Sequence, residues 1–308
     1  MEFKGNPECD PSMGSKGIVI PPEAGCVAPS ALNGEFPFVV LVCIAKMEQN
    51  YIEEFVHYHL LLGFARIYLF DNEDVPTYAS LLHEYVATGQ VIVNHLPHNN
   101  YFLFNDLGQR CYIPVQYVAL TLFIEKIMPD PQITHVAHID IDEFIVLKKH
   151  GNICELIEEY IKDDCAGIAM NWRMFGSSGH TEYSDEPVTS RFTMCEIAGN
   201  HHIKTLFRKD LFANLNTCHT IIPASGYYIK STNGTVIQGH YNDHIDYSVV
   251  QLNHYKCKTL PEFRKIRTRQ RADVVGDIHE DVDAEFKKHD INEVEDLTAC
   301  EWYKGNQG

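Results

Sequence analysis

The stretch HVAHIDIDEF, residues 135–144, is a short apolar run that delivers two carboxylates, Asp140 and Asp142, at its end. Residues two apart on a strand point the same way, so both acids are expected to face one hard cation. The stretch holds no cysteine, and all-oxygen coordination suits Mg²⁺ or Mn²⁺ better than zinc. A cation held by one or two carboxylates keeps open positions for phosphate oxygens, so the pattern points to a nucleoside diphosphate. Asp281 and Asp283 repeat the spacing with no strand before them and read as a solvated charge run.

Upstream, an apolar run at 36–44, helical spacing at 51–62 and a second run at 65–70 ending at Asp71 predict strand, helix, strand. A helix at 78–87, a strand at 91–96, a long helix at 109–128 and a strand at 135–139 continue the alternation. Such a series predicts an α/β fold, a parallel sheet with helices on its faces. Ligands in such sheets collect beyond the carboxyl ends of the strands, which here carry Lys46 and Glu48, then Asp71 and Asn72, then the acids from Asp140 onward. Beyond Gly167, shorter runs at 190–196, 202–208, 220–229 and 249–255 predict that the sheet becomes mixed.

Of 308 residues, 45% are hydrophobic, which excludes disorder along the whole chain. Forty-two acids against 25 bases give a net charge of −17, and such a surface repels phosphate backbones and anionic lipid. Nucleic acid is not expected as a partner. The longest apolar stretch, 36–45, is half of the roughly 20 residues a bilayer crossing needs. With no transmembrane segment and no leader at Met1, a soluble, cytoplasmic protein is expected. Ten cysteines without a Cys-x-x-Cys pair read as free thiols in a reducing compartment. Walker, dinucleotide-glycine and His-Glu-x-x-His patterns are absent, and the run 176–179, GSSG, misses the spacing of a nucleophile elbow.

Several motifs together resemble the family 92 glycosyltransferases. They are Lys46-x-Glu48, Tyr51-x-Glu53-Glu54-Phe55 leading to His59 and Gly63, YLFDN ending at Asn72, HIDIDEF, NWRMFGSSGH at 171–180, RFT from Arg191, HIKT at 202–205 and NHYKCKTLPEF at 253–263. The resemblance covers about 36–271. It departs at Met47, where the family usually has Asn, and at Phe55, where Trp is common.

It implies a GT-A (Rossmann-like) mixed sheet with flanking helices: an arm at 1–33, a catalytic domain at 34–260 with a donor half at about 34–145 and an acceptor half at about 146–260, and a basic helix and acidic tail at 261–308. The implied activity is transfer of a sugar, with inversion, from a nucleoside-diphosphate sugar, UDP favoured, to a hydroxyl of a glycan or glycoconjugate. A sugar-phosphate nucleotidyltransferase is the enzymatic rival, but it usually carries a glycine-rich phosphate loop after its first strand, and residues 42–50 hold no glycine. The other rival is a non-catalytic carbohydrate-binding or scaffold protein with a degenerate site.

By the same resemblance, Asp140 and Asp142 form a DXD motif holding Mn²⁺ or Mg²⁺, with His254 as a further ligand. Donor binding is expected of Lys46, Glu48, Asp71, Asn72, Asp140, Lys256 and Lys258. For Asp71 the alternative is a turn-forming acid before Asn72. On the acceptor side, Trp172 or Phe175 is expected either to stack on a sugar or to belong to the core, with Ser178 and Gly179 in a loop that glycine lets approach a sugar. His180, Glu182 and Asp185 are unranked candidates for the catalytic base, and the loop around His240 and His244 is a rival. Between 256 and 271 lie seven bases against one acid, on a helix that Pro261 opens, and the tail at 273–301 carries 11 acids expected to pack against them.

Overall fold

The computed structural model describes residues 37–97, 101–105, 107–269, 272 and 281–307. The arm at 1–33 lies outside the described residues, as do Arg271 and the tail acids before Asp281.

The strand Val39–Ala45 is buried along almost its whole length because both of its faces are covered. Val39, Leu41, Cys43 and Ala45 join one hydrophobic cluster, while Val40 and Val42 join the other. Arg66–Asp71 divides in the same way, with Ile67 and Leu69 opposed to Tyr68 and Phe70. A strand covered on both faces needs no polar alternation, which is why these segments read as unbroken apolar runs.

Val39–Ala45 lies between Arg66–Asp71 and His135–His138, parallel to both, and Val91–His95 continues the parallel set. Direction then reverses. Ile203–Arg208 is antiparallel both to His135–His138 and to Cys165–Met174. Tyr228–Lys230 follows in parallel and Val236–Ile237 closes that edge. Val250–His254 pairs with Glu143–Leu147 in antiparallel and with the far end of Cys165–Met174 in parallel. The result is the expected α/β architecture, one large mixed sheet flanked by helices.

The helix Ile52–Leu61 carries Glu53 and Glu54 in its first turn, where acids favour the helix dipole. It packs Ile52, Phe55 and Val56 onto one face of the sheet. Val115–Leu122 covers the opposite face and widens into a π-turn at Phe123–Ile127.

Four predicted elements differ. Arg110–Ile113 is not helical but pairs antiparallel with Tyr101–Phe104, and the helix begins only after Pro114, whose backbone is extended. The helix at 78–87 is two short pieces, Tyr78–Leu81 and His83–Ala87. The strand at 190–196 is a turn of helix, Val188–Arg191, before a two-residue strand, because the Glu54 carboxylate accepts the backbone N–H groups of Val188 (2.6 Å) and Thr189 (3.1 Å). The run at 220–229 is two strands, Ile221–Pro223 and Tyr228–Lys230.

Asp281 is no mere solvated acid either: its side chain caps the helix Val282–His289 by accepting from the N–H of Ala284 at 2.9 Å. Asp283 pairs with Arg264, and Glu285 with Arg267 (3.1 Å) and Lys256 (3.5 Å), so the tail packs against the basic segment as expected. Cys43, Cys154, Cys165, Cys195, Cys218, Cys257 and Cys300 are free thiols. Cys111 is disulfide-bonded, which corrects the reading of all ten as free. Among the described residues no helix is long and apolar enough to cross a membrane.

Candidate functional site

The strand His135–His138 stops before the acids do. Ile139 to Asp142 make a turn closed by the N–H of Glu143 donating to the carbonyl of Asp140 at 3.0 Å, and the chain then reverses into Glu143–Leu147. Asp140 and Asp142 therefore lie past the strand end and have different neighbours, which corrects the picture of two acids projecting side by side from one strand.

Asp140 is half-buried, with both carboxylate oxygens engaged by protein. Its Oδ2 lies 3.0 Å from the Nζ of Lys204 and its Oδ1 accepts from the Nε2 of Gln116 at 2.7 Å. Lys204 is fully buried, lies 3.9 Å from Glu143 and donates to the carbonyl of Cys218 at 3.3 Å. Burial alone would pull the Lys204 ammonium down, but the adjacent Asp140 and Glu143 carboxylates outweigh it and hold its pKa above the ordinary value. Glu143 is also completely buried, and burial pushes its pKa up against the pull of Lys204.

Asp142 faces the other way, toward His254, with 3.5 Å between its Oδ2 and Nε2. Burial would raise its pKa, but His254, Lys258 and Arg269 overcome that and hold it well below the usual carboxylate range. His254 ends the strand Val250–His254 and is 6% exposed, and its Nδ1 has no hydrogen-bond partner among the described residues. A carboxylate oxygen and an imidazole nitrogen facing one another at this distance fit two ligands of a small divalent cation. Among the described residues, no three histidine, cysteine or acidic side chains converge as a complete metal centre.

Two cations complete this side. Lys258 is 3% exposed, has a left-handed backbone (φ 52°) and holds its Nζ 4.4 Å from the ring centre of Tyr51. The next residue, Thr259, caps the helix Leu260–Ile266 in a capping box with Glu262. Glu262 also receives Arg191 through two bonds (3.0 and 2.8 Å) and the Tyr51 hydroxyl at 2.8 Å, so the backbone around Lys258 is fixed from three directions. Arg269 lies 2.9 Å from the Oε1 of buried Glu48 and donates to the carbonyl of Lys46. Burial raises the pKa of Glu48, and Arg269 and Lys258 counter that.

The other donor-side candidates sit elsewhere. Asp71 is fully buried and accepts the backbone N–H groups of Glu73 (3.0 Å), Thr77 (2.7 Å) and Tyr78 (3.0 Å), the turn-forming arrangement rather than an open carboxylate. Asn72 is buried and donates to the carbonyl of Leu96 at 2.7 Å. Lys46 reaches toward Asp74 at 3.7 Å, and Lys256 toward Glu285 and toward His289 at 3.0 Å.

On the acceptor side, Phe175 is fully buried against Tyr255, so of the two readings for that residue it takes the core one and does not stack on a sugar. The glycine loop meets protein instead of sugar. A Cβ on Gly176 would lie 2.6 Å from the carbonyl of Ile291, and Ser177 N–H donates to Asp290 at 2.6 Å. The Ser178 hydroxyl accepts the N–H groups of Thr193 (2.8 Å) and Met194 (2.9 Å), and Gly179 turns the chain at φ 78°. His180, Glu182 and Asp185 are exposed. Asp185 bonds Tyr183, whose ring lies 5.2 Å from the Arg191 guanidinium, so only a chain of side chains links it to the Lys258 region.

Trp172 does sit beside the centre, its ring 4.4 Å from that of His254 and stacked on His202 at 4.7 Å. Burial pushes His202 and His138 down to about 4 and His219 well below its ordinary value. These histidines and Lys204 were not singled out as site residues from sequence. The available signal for Lys204 was its place in HIKTLFR, where period two puts a lysine on the apolar face of Leu206.

The model of Glycosyltransferase family 92 matches residues 39–296. No curated protein matches the chain. Among solved structures, S. aureus TarS 1-349 is 13% identical with a TM-score of 0.32, over 56% of this chain and 47% of that one. A structure of S. aureus TarS gives 13% and 0.33 over 56% and 28%, and TarS 1-349 in complex with UDP gives 13% and 0.32 over 56% and 47%. The chain thus spans about half or less of those proteins. A match over residues 39–296 covers most of the sequence and every strand of the large sheet, and the chain belongs to glycosyltransferase family 92.

Proposed function

We propose that this chain transfers a sugar from a nucleoside-diphosphate sugar, uridine favoured, to a hydroxyl of a glycan or glycoconjugate, with inversion. The observation that carries the reading is Asp142 facing His254 at 3.5 Å past the carboxyl end of the parallel strands, where the charges of Lys258 and Arg269 act on that carboxylate. Negative charge develops on the diphosphate as the glycosidic bond breaks. Fixed cations aimed there stabilise that charge more than the ground state, the usual source of the largest catalytic gain.

Mn²⁺ or Mg²⁺ would be held by Asp142 and His254, and when bound it supplies electrophilic stabilisation of the leaving diphosphate. The chain's own groups do the rest. Lys258, rigid and almost buried, offers an ammonium whose described contact is the Tyr51 face; a phosphate oxygen gives it a stronger partner. Arg269 ties the segment after the basic helix to Glu48 and to the loop after the first strand. Lys204 satisfies Asp140 internally, so the turn carrying Asp142 keeps its shape.

The test is thermal unfolding with UDP, with and without MnCl₂, alongside hydrolysis of UDP-sugars. A ligand at 100 times its Kd raises stability by about 2.7 kcal/mol, and the rise is expected with UDP and Mn²⁺ together. His254→Ala is expected to lower the affinity for Mn²⁺ measured in the presence of UDP. No rise with any of UDP, GDP or CDP would overturn the reading.

A further inference from the structure

We propose that Trp172, His202, His219, His240, Tyr241 and His254 form one ring-lined trough that binds the acceptor, and that the acceptor is a carbohydrate seated against Tyr241 and His240. The proposal rests on the nucleotide-sugar reading and names where its second substrate lies.

The rings are continuous. From His254 at the carboxylate, the path runs 4.4 Å to Trp172, 4.7 Å to His202 in a stacked pair at 18°, and 4.8 Å to Tyr241. A second path runs from Trp172 to His219 (5.4 Å), His240 (5.9 Å) and Tyr241 (4.0 Å). One end thus touches the group that faces Asp142, and the other ends at Tyr241, which is 40% exposed.

The surface is built to hold still. Tyr241 forms a β-bridge with His202, and Asn242 behind it is 2% exposed. Asn242 donates from its side chain to Asn171 at 2.8 Å and from its backbone to the carbonyl of His201 at 2.8 Å. His202 and His219 each use Nδ1 internally, on Asn200 (2.8 Å) and on the carbonyl of Ile203 (2.9 Å), leaving each Nε2 to serve a ligand.

Two polar atoms also await a partner here. The Nε1 of Trp172 and the Nδ1 of His254 are buried and lack a hydrogen bond among the described residues. Each such atom costs stability unless a ligand or water satisfies it. Rings with scattered nitrogens and one hydroxyl match a sugar, which presents an apolar C–H face and hydroxyls at its edges.

Saturation-transfer NMR on the full chain with lactose, cellobiose, maltose, α-1,2-mannobiose and N,N′-diacetylchitobiose tests this, with UDP and MnCl₂ added in a parallel arm. At least one disaccharide is expected to receive saturation on its ring C–H protons. Tyr241→Ala is expected to weaken that binding at least tenfold and Tyr241→Phe to retain it, both keeping the wild-type rise in Tm with UDP. Absence of signal for all five sugars, or wild-type affinity in Tyr241→Ala, overturns the proposal. The two readings separate cleanly: UDP binding without sugar binding removes the trough alone, and Tyr241-dependent sugar binding without nucleotide binding removes the donor reading alone.

Discussion

The Lys204 ammonium, itself fully buried, lies 3.0 Å from the Asp140 carboxylate just past the end of the strand His135–His138. The pair joins two strands of opposite direction, Ile203–Arg208 and His135–His138, at the point where the parallel set gives way to the antiparallel one. Removing the lysine leaves two carboxylates, Asp140 and Glu143, without their cation. Lys204→Met is expected to destabilise the fold by about 3–5 kcal/mol, the usual penalty for half of a buried pair. Adding Asp140→Asn should recover part of the loss. Urea unfolding of both variants checks this, and equal stabilities would show that the pair is not coupled.

The two acids of the turn should separate in function. Asp140 has both oxygens engaged by Lys204 and Gln116, whereas Asp142 faces His254. Asp140→Asn is expected to keep a Mn²⁺-dependent rise in Tm with UDP, reduced only as far as the turn loosens. Asp142→Asn is expected to lose the Mn²⁺ increment altogether while unfolding at a temperature near that of wild type. Loss of the increment in Asp140→Asn alone would reverse the assignment.

His59 gives a pH window. It is fully buried, its Nδ1–H donates to the carbonyl of Phe55 at 2.8 Å and its Nε2 accepts the N–H of Ile145 at 3.4 Å, which requires the neutral ring. Burial lowers its pKa from 6.5 to about 3. The unfolded chain therefore takes up the proton first, so this residue's contribution is fully present above about pH 6.5 and declines as pH falls toward 3. His59→Gln should flatten part of the stability loss between pH 6.5 and 4 in urea titrations. A slope unchanged in that window would exclude His59 as a source.

Much of this was legible because the parallel strands are covered on both faces. Unbroken apolar runs ending in Glu48, Asp142 and His254 need no knowledge of pairing to be found. What stayed hidden depends on contacts between distant segments. Phe175 and the glycine loop read as a sugar platform, but Asp290 and Asn292, more than 110 positions away, occupy that space. Lys204 reaches Asp140 only because an antiparallel strand inserts beside His135–His138. The ring trough gathers residues from five separate segments, and no spacing rule connects His219 to Trp172.

Gly176 offers a test of that reassigned loop. A Cβ there would come within 2.4 Å of the Asn292 side chain and 2.6 Å of the Ile291 carbonyl, and the carbonyl belongs to backbone that cannot rotate away. Gly176→Ala is expected to cost about 1–3 kcal/mol, as overpacking does, and to speed proteolysis within 282–297. Wild-type resistance to protease would mean that the tail yields without cost.

Lys258 carries the sharpest functional prediction. Its ammonium sits over the Tyr51 ring and forms no ion pair among the described residues, and its left-handed backbone costs about 1–3 kcal/mol that only the surrounding network can hold in place. A charge-assisted bond to a phosphate oxygen contributes about 1.5–3 kcal/mol, so Lys258→Met should weaken UDP binding about 10- to 100-fold. If that bond is to the β-phosphate, UMP affinity should change little, because UMP lacks the group. Titration calorimetry with both nucleotides distinguishes this from general damage: equal losses for UMP and UDP would mean that the substitution disturbs the pocket as a whole, and no loss for either would place the diphosphate elsewhere.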